Sequence, residues 1–305
     1  MTTSTVDAGT ADLGPDRPRL AVRRRGGPRR PFLLVHGLAS NARLWDGVGE
    51  HLAAAGHATL AVDLRGHGLS PATDDGNDTT TAADDLAALI AAEGLTGARA
   101  PIAVGQSWGG NVVLALAARH PGSVAAVACV DGGWIGLGGF AGFEDCWAAL
   151  APPRLDGVSY DQVARWIATQ HPGWAPTAVE ATLANLVRLP DGVRARLDRD
   201  HHRSILRSLY EEDPADRYPH VNVPVLLVPA LGPTPGDDDD ARRAGARAAV
   251  LAALDALPDA RVVWYPGADH DLHAQYPERL AADLLSLASR AEAPQAADVP
   301  EEAAP

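Results

Sequence analysis

Lysine is absent from this chain: all 26 of its basic residues are arginine, set against 39 Asp and Glu. That absence excludes Schiff-base and other lysine-based catalysis. With so much alanine alongside, it reads as compositional bias from GC-rich coding. A formal net charge of −13 leaves no electrostatic case for nucleic acid or an anionic membrane as partner. Cysteine is nearly absent too. Cys129 sits in an apolar run and Cys146 beside Trp147. Neither has C-x-x-C or metal-ligand spacing, so inert thiols are expected, with no metal and no cofactor. Residues 1–16 lack the apolar stretch of a secretory signal, and no apolar run reaches the ~18 residues of a membrane span. A cytoplasmic protein acting on a small molecule is the expectation; nothing marks its oligomeric state.

What the chain does have is 46% hydrophobic residues over 305 positions, enough for one large core with an insertion. Short apolar runs fall at 31–35, 57–62, 100–104, 124–130, 225–228 and 261–265. Each is too short for a helix and lacks polar alternation, as strands covered on both faces do. Helical segments at 43–55, 82–93, 107–119, 240–257 and 277–289 alternate with them. The pattern predicts an α/β fold with a mostly parallel, doubly wound sheet and a site beyond the strand carboxyl ends. Residues 18–133 and 220–289 form its expected core. Residues 1–17 and 290–305, rich in Ala, Pro, Thr, Asp and Glu, read as disordered tails. Residues 134–219 show no convincing strand, several prolines, helical stretches at 161–169 and 179–189, and four of the seven tryptophans. They read as an inserted helical cap. Ordinary packing is the plain reading of those tryptophans, although an aromatic cleft would suit an apolar substrate. Gly26-Gly27-Pro28, flanked by arginines, reads as a hairpin turn.

The chemistry concentrates in Gly105-Gln106-Ser107-Trp108-Gly109-Gly110. It follows an apolar run and opens a helical one. A G-x-S-x-G turn between strand and helix holds the serine hydroxyl out where a base can reach it. It also puts the Trp108 N–H at a helix start, ready to receive negative charge. Three further pieces stand in order around it: His36-Gly37 after the first apolar run, Asp63-Leu64-Arg65-Gly66-His67-Gly68-Leu69-Ser70, and Asp269-His270-Asp271-Leu272-His273. Together, spread from about 31 to 285, they resemble the α/β-hydrolase superfamily.

The resemblance implies a serine hydrolase cleaving a small, largely apolar ester, or a lactone, amide or thioester, through an acyl-enzyme. Non-hydrolytic chemistry on the same residues (C–C cleavage, acyl transfer, perhydrolysis) and a non-catalytic receptor are the alternatives. Ser107 would be the nucleophile and His270 the base, with His273 as fallback. Leu38 and Trp108 would supply the oxyanion-hole N–H groups. His67 is structural in resembling proteins. His270, Asp271 and His273 lack the spaced ligand set of a metal site. His201-His202 reads as a solvated helix face, and Asp46 as a possible contributor to the pocket wall.

The acid stays open between two positions. Asp131 ends an apolar run, where an unpaired carboxylate would be expensive and a histidine partner would relieve it. Asp237 and its neighbours follow the 225–228 run, but four adjacent carboxylates at a helix start also have a solvated, dipole-related explanation. If Asp131 is the acid, Asp131→Asn lowers kcat far more than Asp237→Asn, at little change in stability. Equal, small effects of the two in ester hydrolysis would reject it.

Overall fold

The computed structural model describes residues 5–230 and 237–292, without the side chains of 237–243. Among the described residues ten strands occur: β1 (Asp7–Ala11), β2 (Leu20–Arg25), β3 (Arg29–Val35), β4 (His57–Val62), β5 (Ile102–Gln106), β6 (Ala126–Val130), β7 (Leu186–Leu189), β8 (Gly192–Ala195), β9 (Val225–Val228) and β10 (Ala260–Val262). The helices are α1 (Asp46–Ala54), α2 (Thr79–Ala92), α3 (Trp108–Arg119), α4 (Phe143–Leu150), α5 (Tyr160–Gln170), α6 (Pro176–Leu183), α7 (Arg199–Glu211), α8 (Asp237–Ala256), α9 (Leu272–Gln275) and α10 (Pro277–Glu292). Eight strands form one sheet in the order β1-β2-β4-β3-β5-β6-β9-β10. The β1–β2 and β2–β4 pairs are antiparallel and the remaining pairs parallel. No helix among the described residues is long and apolar enough to cross a membrane.

Alternation along the central strands divides the interior in two. Leu33, Val35, Ala103, Val127 and Leu227 face one way, into a core shared with α2 and α3. Phe32, Leu34, Val104, Ala128 and Leu226 face the other way, onto α1 and α10. Strands buried on both faces show no polar alternation in sequence, which is why these runs read as continuously apolar. Helix α2 begins where the Asp78 side chain accepts the Thr81 N–H at 2.7 Å, satisfying one orphan donor. Its Asp85 holds Arg65 of the loop after β4 at 2.6 Å, with only 8% and 1% of the two side chains exposed.

Three expectations need correction. Residues 7–11, expected in a disordered tail, form the edge strand β1, in register from Asp7 opposite Arg24 to Ala11 opposite Leu20. Its small residues conceal it, because its partner β2 supplies the apolar contact. Gly26-Gly27-Pro28 does not make a hairpin. β2 and β3 lie on opposite sides of β4, so these residues carry the chain across it. Finally, the helix expected over 179–189 ends at Leu183 and gives way to the antiparallel β7–β8 pair. The branched residues Val187 and Val193 favour strand over a continued helix. At the C-terminal end α10 runs on to Glu292, and the rest of the expected 290–305 tail lies outside the described residues.

The Asp85 pairing yields a stability test. Asp85→Ala leaves the Arg65 guanidinium buried without its carboxylate and should cost roughly 3–5 kcal/mol. Urea unfolding measures it, and a loss under about 1 kcal/mol would mean that Arg65 finds water instead.

Candidate active site

The site gathers where three neighbouring parallel strands end. Ser107 follows β5 with φ 54° and ψ −125°, a left-handed conformation costly for a residue with a Cβ. Asp131 follows β6 with φ 44°, and Ala39 lies in the loop after β3 with φ 58°. Among the described residues these are the non-glycines with positive φ. The ladder fixes two of them: Ser107 N–H donates to Val130 C=O at 2.9 Å, and Asp131 N–H to Val228 C=O at 2.9 Å. Two glycines permit the close packing. A Cβ on Gly109 would lie 2.5 Å from the His36 carbonyl oxygen, and one on Gly132 would lie 2.7 Å from the Ser107 carbonyl carbon. No side chain fits at either place.

His270 comes from the loop after β10. Its Nδ1 stands 2.6 Å from Asp131 Oδ2, while Asp131 Oδ1 accepts the Ala230 N–H at 2.9 Å. Both carboxylate oxygens are thereby engaged, and with Nδ1 donating, His270 Nε2 carries the free lone pair. The His270 backbone is fixed by Gln106, whose Nε2 donates to the His270 carbonyl at 3.1 Å. Gln106, the residue before the serine, thus ties the end of β5 to the loop that bears His270. The Ser107 hydroxyl itself has no hydrogen-bond partner among the described residues, a looseness common before substrate binds. Among the described residues the Leu38 N–H makes no backbone bond, and Trp108, first in α3, has no helical carbonyl one turn back to receive its own.

Partial desolvation opposes a charged His270, whose side chain is still 55% exposed, but the hydrogen bond and charge of Asp131, with Asp271 and Asp269 nearby, outweigh it and raise its pKa. The other histidines near the site behave oppositely. Burial pushes His36 down to about 4 and His67 to about 3. His36 accepts the Leu64 N–H on Nε2 at 3.0 Å and donates from Nδ1 to its neighbour Gly37 C=O at 2.7 Å. Its ring lies 4.9 Å from that of His67, which stacks 5.7 Å from Trp108. The fallback base His273 is wholly buried against Trp45, with both nitrogens unpartnered and its pKa pushed down to about 3. It is core, not base.

Other expectations settle by position. Asp46 pairs with Arg23 at 3.0 and 2.5 Å. His202, expected on a solvated face, is buried beside Trp147 and its pKa falls to about 4. The Asp237 side chain lies outside the described residues. Burial pushes the Cys129 and Cys146 thiols up, leaving them protonated. Among the described residues no group of three or more His, Cys, Asp or Glu is disposed to hold a metal ion. The four tryptophans do not share a cleft: Trp134 packs half-buried on the core shared with α2 and α3, Trp174 is buried in a separate cluster, Trp147 lies under Arg199 and Arg203, and Trp166 is 62% exposed. A crevice of about 360 Å³ between β1, β2 and the β7–β8 region includes neither Ser107 nor His270. Gln106 has no role assigned from the sequence. A polar residue closing an apolar strand was the one available sign, and it pointed to Gln106.

A sequence profile described as alpha/beta hydrolase fold matches residues 30–227, and the chain belongs to that family. It is 28% identical over 275 residues to 2-(acetamidomethylene)succinate hydrolase of Mesorhizobium japonicum, covering 88% of this chain and 90% of that protein. It is 26% identical to a non-heme haloperoxidase of Rhodococcus erythropolis, covering 86% and 93%. The crystal structure of E-2-(acetamidomethylene)succinate hydrolase superposes with TM-score 0.69 at 25% identity, covering 93% of this chain and all of that one.

The raised His270 pKa has a signed consequence. It keeps the ring protonated to higher pH than an ordinary histidine, so the acid limb of kcat/KM should shift upward from where an unperturbed histidine would put it. Asp131→Asn removes the raising charge and should move the inflection downward while slowing the reaction. An inflection that stays in place would detach Asp131 from His270.

Proposed function

We propose that this protein is a serine hydrolase that cleaves a small, largely apolar ester through an acyl-enzyme, with Ser107, His270 and Asp131 as its triad. The observation that carries the reading is the 2.6 Å pairing of His270 Nδ1 with Asp131 Oδ2 beside a serine on a left-handed turn. With Nδ1 donating to the carboxylate, His270 Nε2 takes the Ser107 proton and Oγ attacks the carbonyl carbon. The tetrahedral oxyanion rests on the N–H groups of Leu38 and Trp108, each worth about 3–4 kcal/mol of barrier. His270 then gives its proton to the departing alcohol. Water, activated by the same imidazole, releases the acid and restores the serine. Every proton moves between side chain, substrate and water, so the route calls for no cofactor. Residues 134–219 would roof the site as a cap. Relatives named hydrolase, esterase and lipase support this class.

The haloperoxidase likeness, which spans 93% of that relative, supports a second reading: hydrogen peroxide in place of water as acyl acceptor, giving a peracid and the same alcohol. Product analysis of one ester with and without peroxide separates the two.

Ser107→Ala should lower kcat about 10⁶-fold on p-nitrophenyl esters of rising chain length, and abolish covalent labelling by a fluorophosphonate probe. Retained labelling, or hydrolysis unaffected by the substitution, would reject the serine mechanism. Hydrolysis favouring short acyl chains supports the small-ester reading; a preference for long chains would reject it.

A further inference from the structure

The inserted segment grips the site at two points, neither of them a reacting group. Asp269 immediately precedes His270. Its Oδ2 accepts the Trp174 Nε1–H at 3.2 Å and bonds His171 Nδ1 at 3.0 Å, while Oδ1 accepts the Asp271 N–H at 3.0 Å. The Asp269 N–H in turn donates to Gln275 Oε1 at 2.9 Å. One carboxylate thus organises the loop that bears His270 and catches two donors from far along the chain. The His171 and Trp174 rings stack with centroids 3.9 Å apart. Trp174 is buried in a small apolar cluster with Leu44, Ala181 and Ala274, distinct from the two cores that flank the sheet.

The second grip is on the loop after β3. Asn41, three residues beyond Leu38, is 2% exposed. Its Nδ2 donates to the Ala181 carbonyl at 2.8 Å and to Asn185 Oδ1 at 2.7 Å, and its Oδ1 accepts the Arg43 N–H at 2.9 Å. Residues 171–185 therefore fasten to both loops. The sheet does not tie those loops together, because β5, β6 and β9 stand between β3 and β10.

We propose that residues 171–185 brace the site, fixing the His270 loop against the Leu38 loop, with Asp269 and Asn41 as positioning residues. This inference rests on the serine-hydrolase reading for its kinetic consequence. The brace sets the distance between base and oxyanion donors, a geometry every substrate shares, so its loss registers in kcat.

Trp174→Phe combined with His171→Phe keeps both rings and removes both donors, leaving the triad untouched. With p-nitrophenyl acetate and butyrate, kcat should fall about 10- to 100-fold for both esters, with KM nearly unchanged. A rise in KM at constant kcat would make the segment a mere substrate contact and overturn the proposal; unchanged kinetics would overturn it too. Asp269→Asn is the single-site alternative should the double variant not fold. An amide cannot accept from Asp271 and from Trp174 at once, so it should show the same kcat loss. Hydrogen exchange at residues 268–275 reads the brace without substrate: it should quicken in the variants, and equal exchange would reject it. A wild-type protein inert to esters and to a fluorophosphonate probe would instead reject the hydrolase reading, while the exchange comparison still decides the brace.

Discussion

The arrangement depends on a backbone constraint: Ser107 is held in a left-handed conformation by the hydrogen-bonding register of the sheet. β3, β5 and β6 are consecutive neighbours, and the loops beyond them contain Ala39, Ser107 and Asp131, each with positive φ. Such residues cost of order 1–3 kcal/mol each and persist only where the surroundings over-determine them. Here the surroundings are a sheet covered on both faces. At Asp131 the strain lets a carboxylate at the end of a wholly buried strand reach both the Ala230 N–H and His270.

Electrostatics then distinguishes histidines that composition treats alike. His36, His67 and His273 are enclosed and neutral, and they work as ring packing and as hydrogen-bonding spacers. His270 is different because its side chain is 55% exposed and three carboxylates lie close enough to favour its charged form. An imidazole that is readily charged yet keeps one nitrogen free is suited to shuttle a proton. The same residue type in the core could not do so.

The sheet and the elbow were legible in the sequence because both rest on local signals. Continuous apolar runs mark strands covered on two faces, and Gly105-Gln106-Ser107-Trp108-Gly109 marks a turn that little else requires. Asp131 was legible only as one of two options, since the cost of burying it names a need for a partner without saying which. What stayed hidden was non-local. The pairing of Asp269 with His171 and Trp174 spans nearly a hundred residues, and no periodicity announces it. β1 escaped notice for a related reason: a strand of Asp, Ala, Gly and Thr acquires its identity from the partner it lies against. The crossing at Gly26-Gly27-Pro28 failed differently, because a turn signal says that the chain reverses or bends but not which neighbour it will meet.

The two ends of the large sheet have one more consequence. An unpaired outer strand offers a row of free amide and carbonyl groups on which another polypeptide can template. On one flank that strand is Asp7-Ala8-Gly9-Thr10-Ala11, mostly solvent-facing and without a branched aliphatic or aromatic residue. On the other it is β10, three residues long. Small side chains, short length and one exposed charge on each strand, Asp7 and Arg261, make both borders poor seeds for lateral growth.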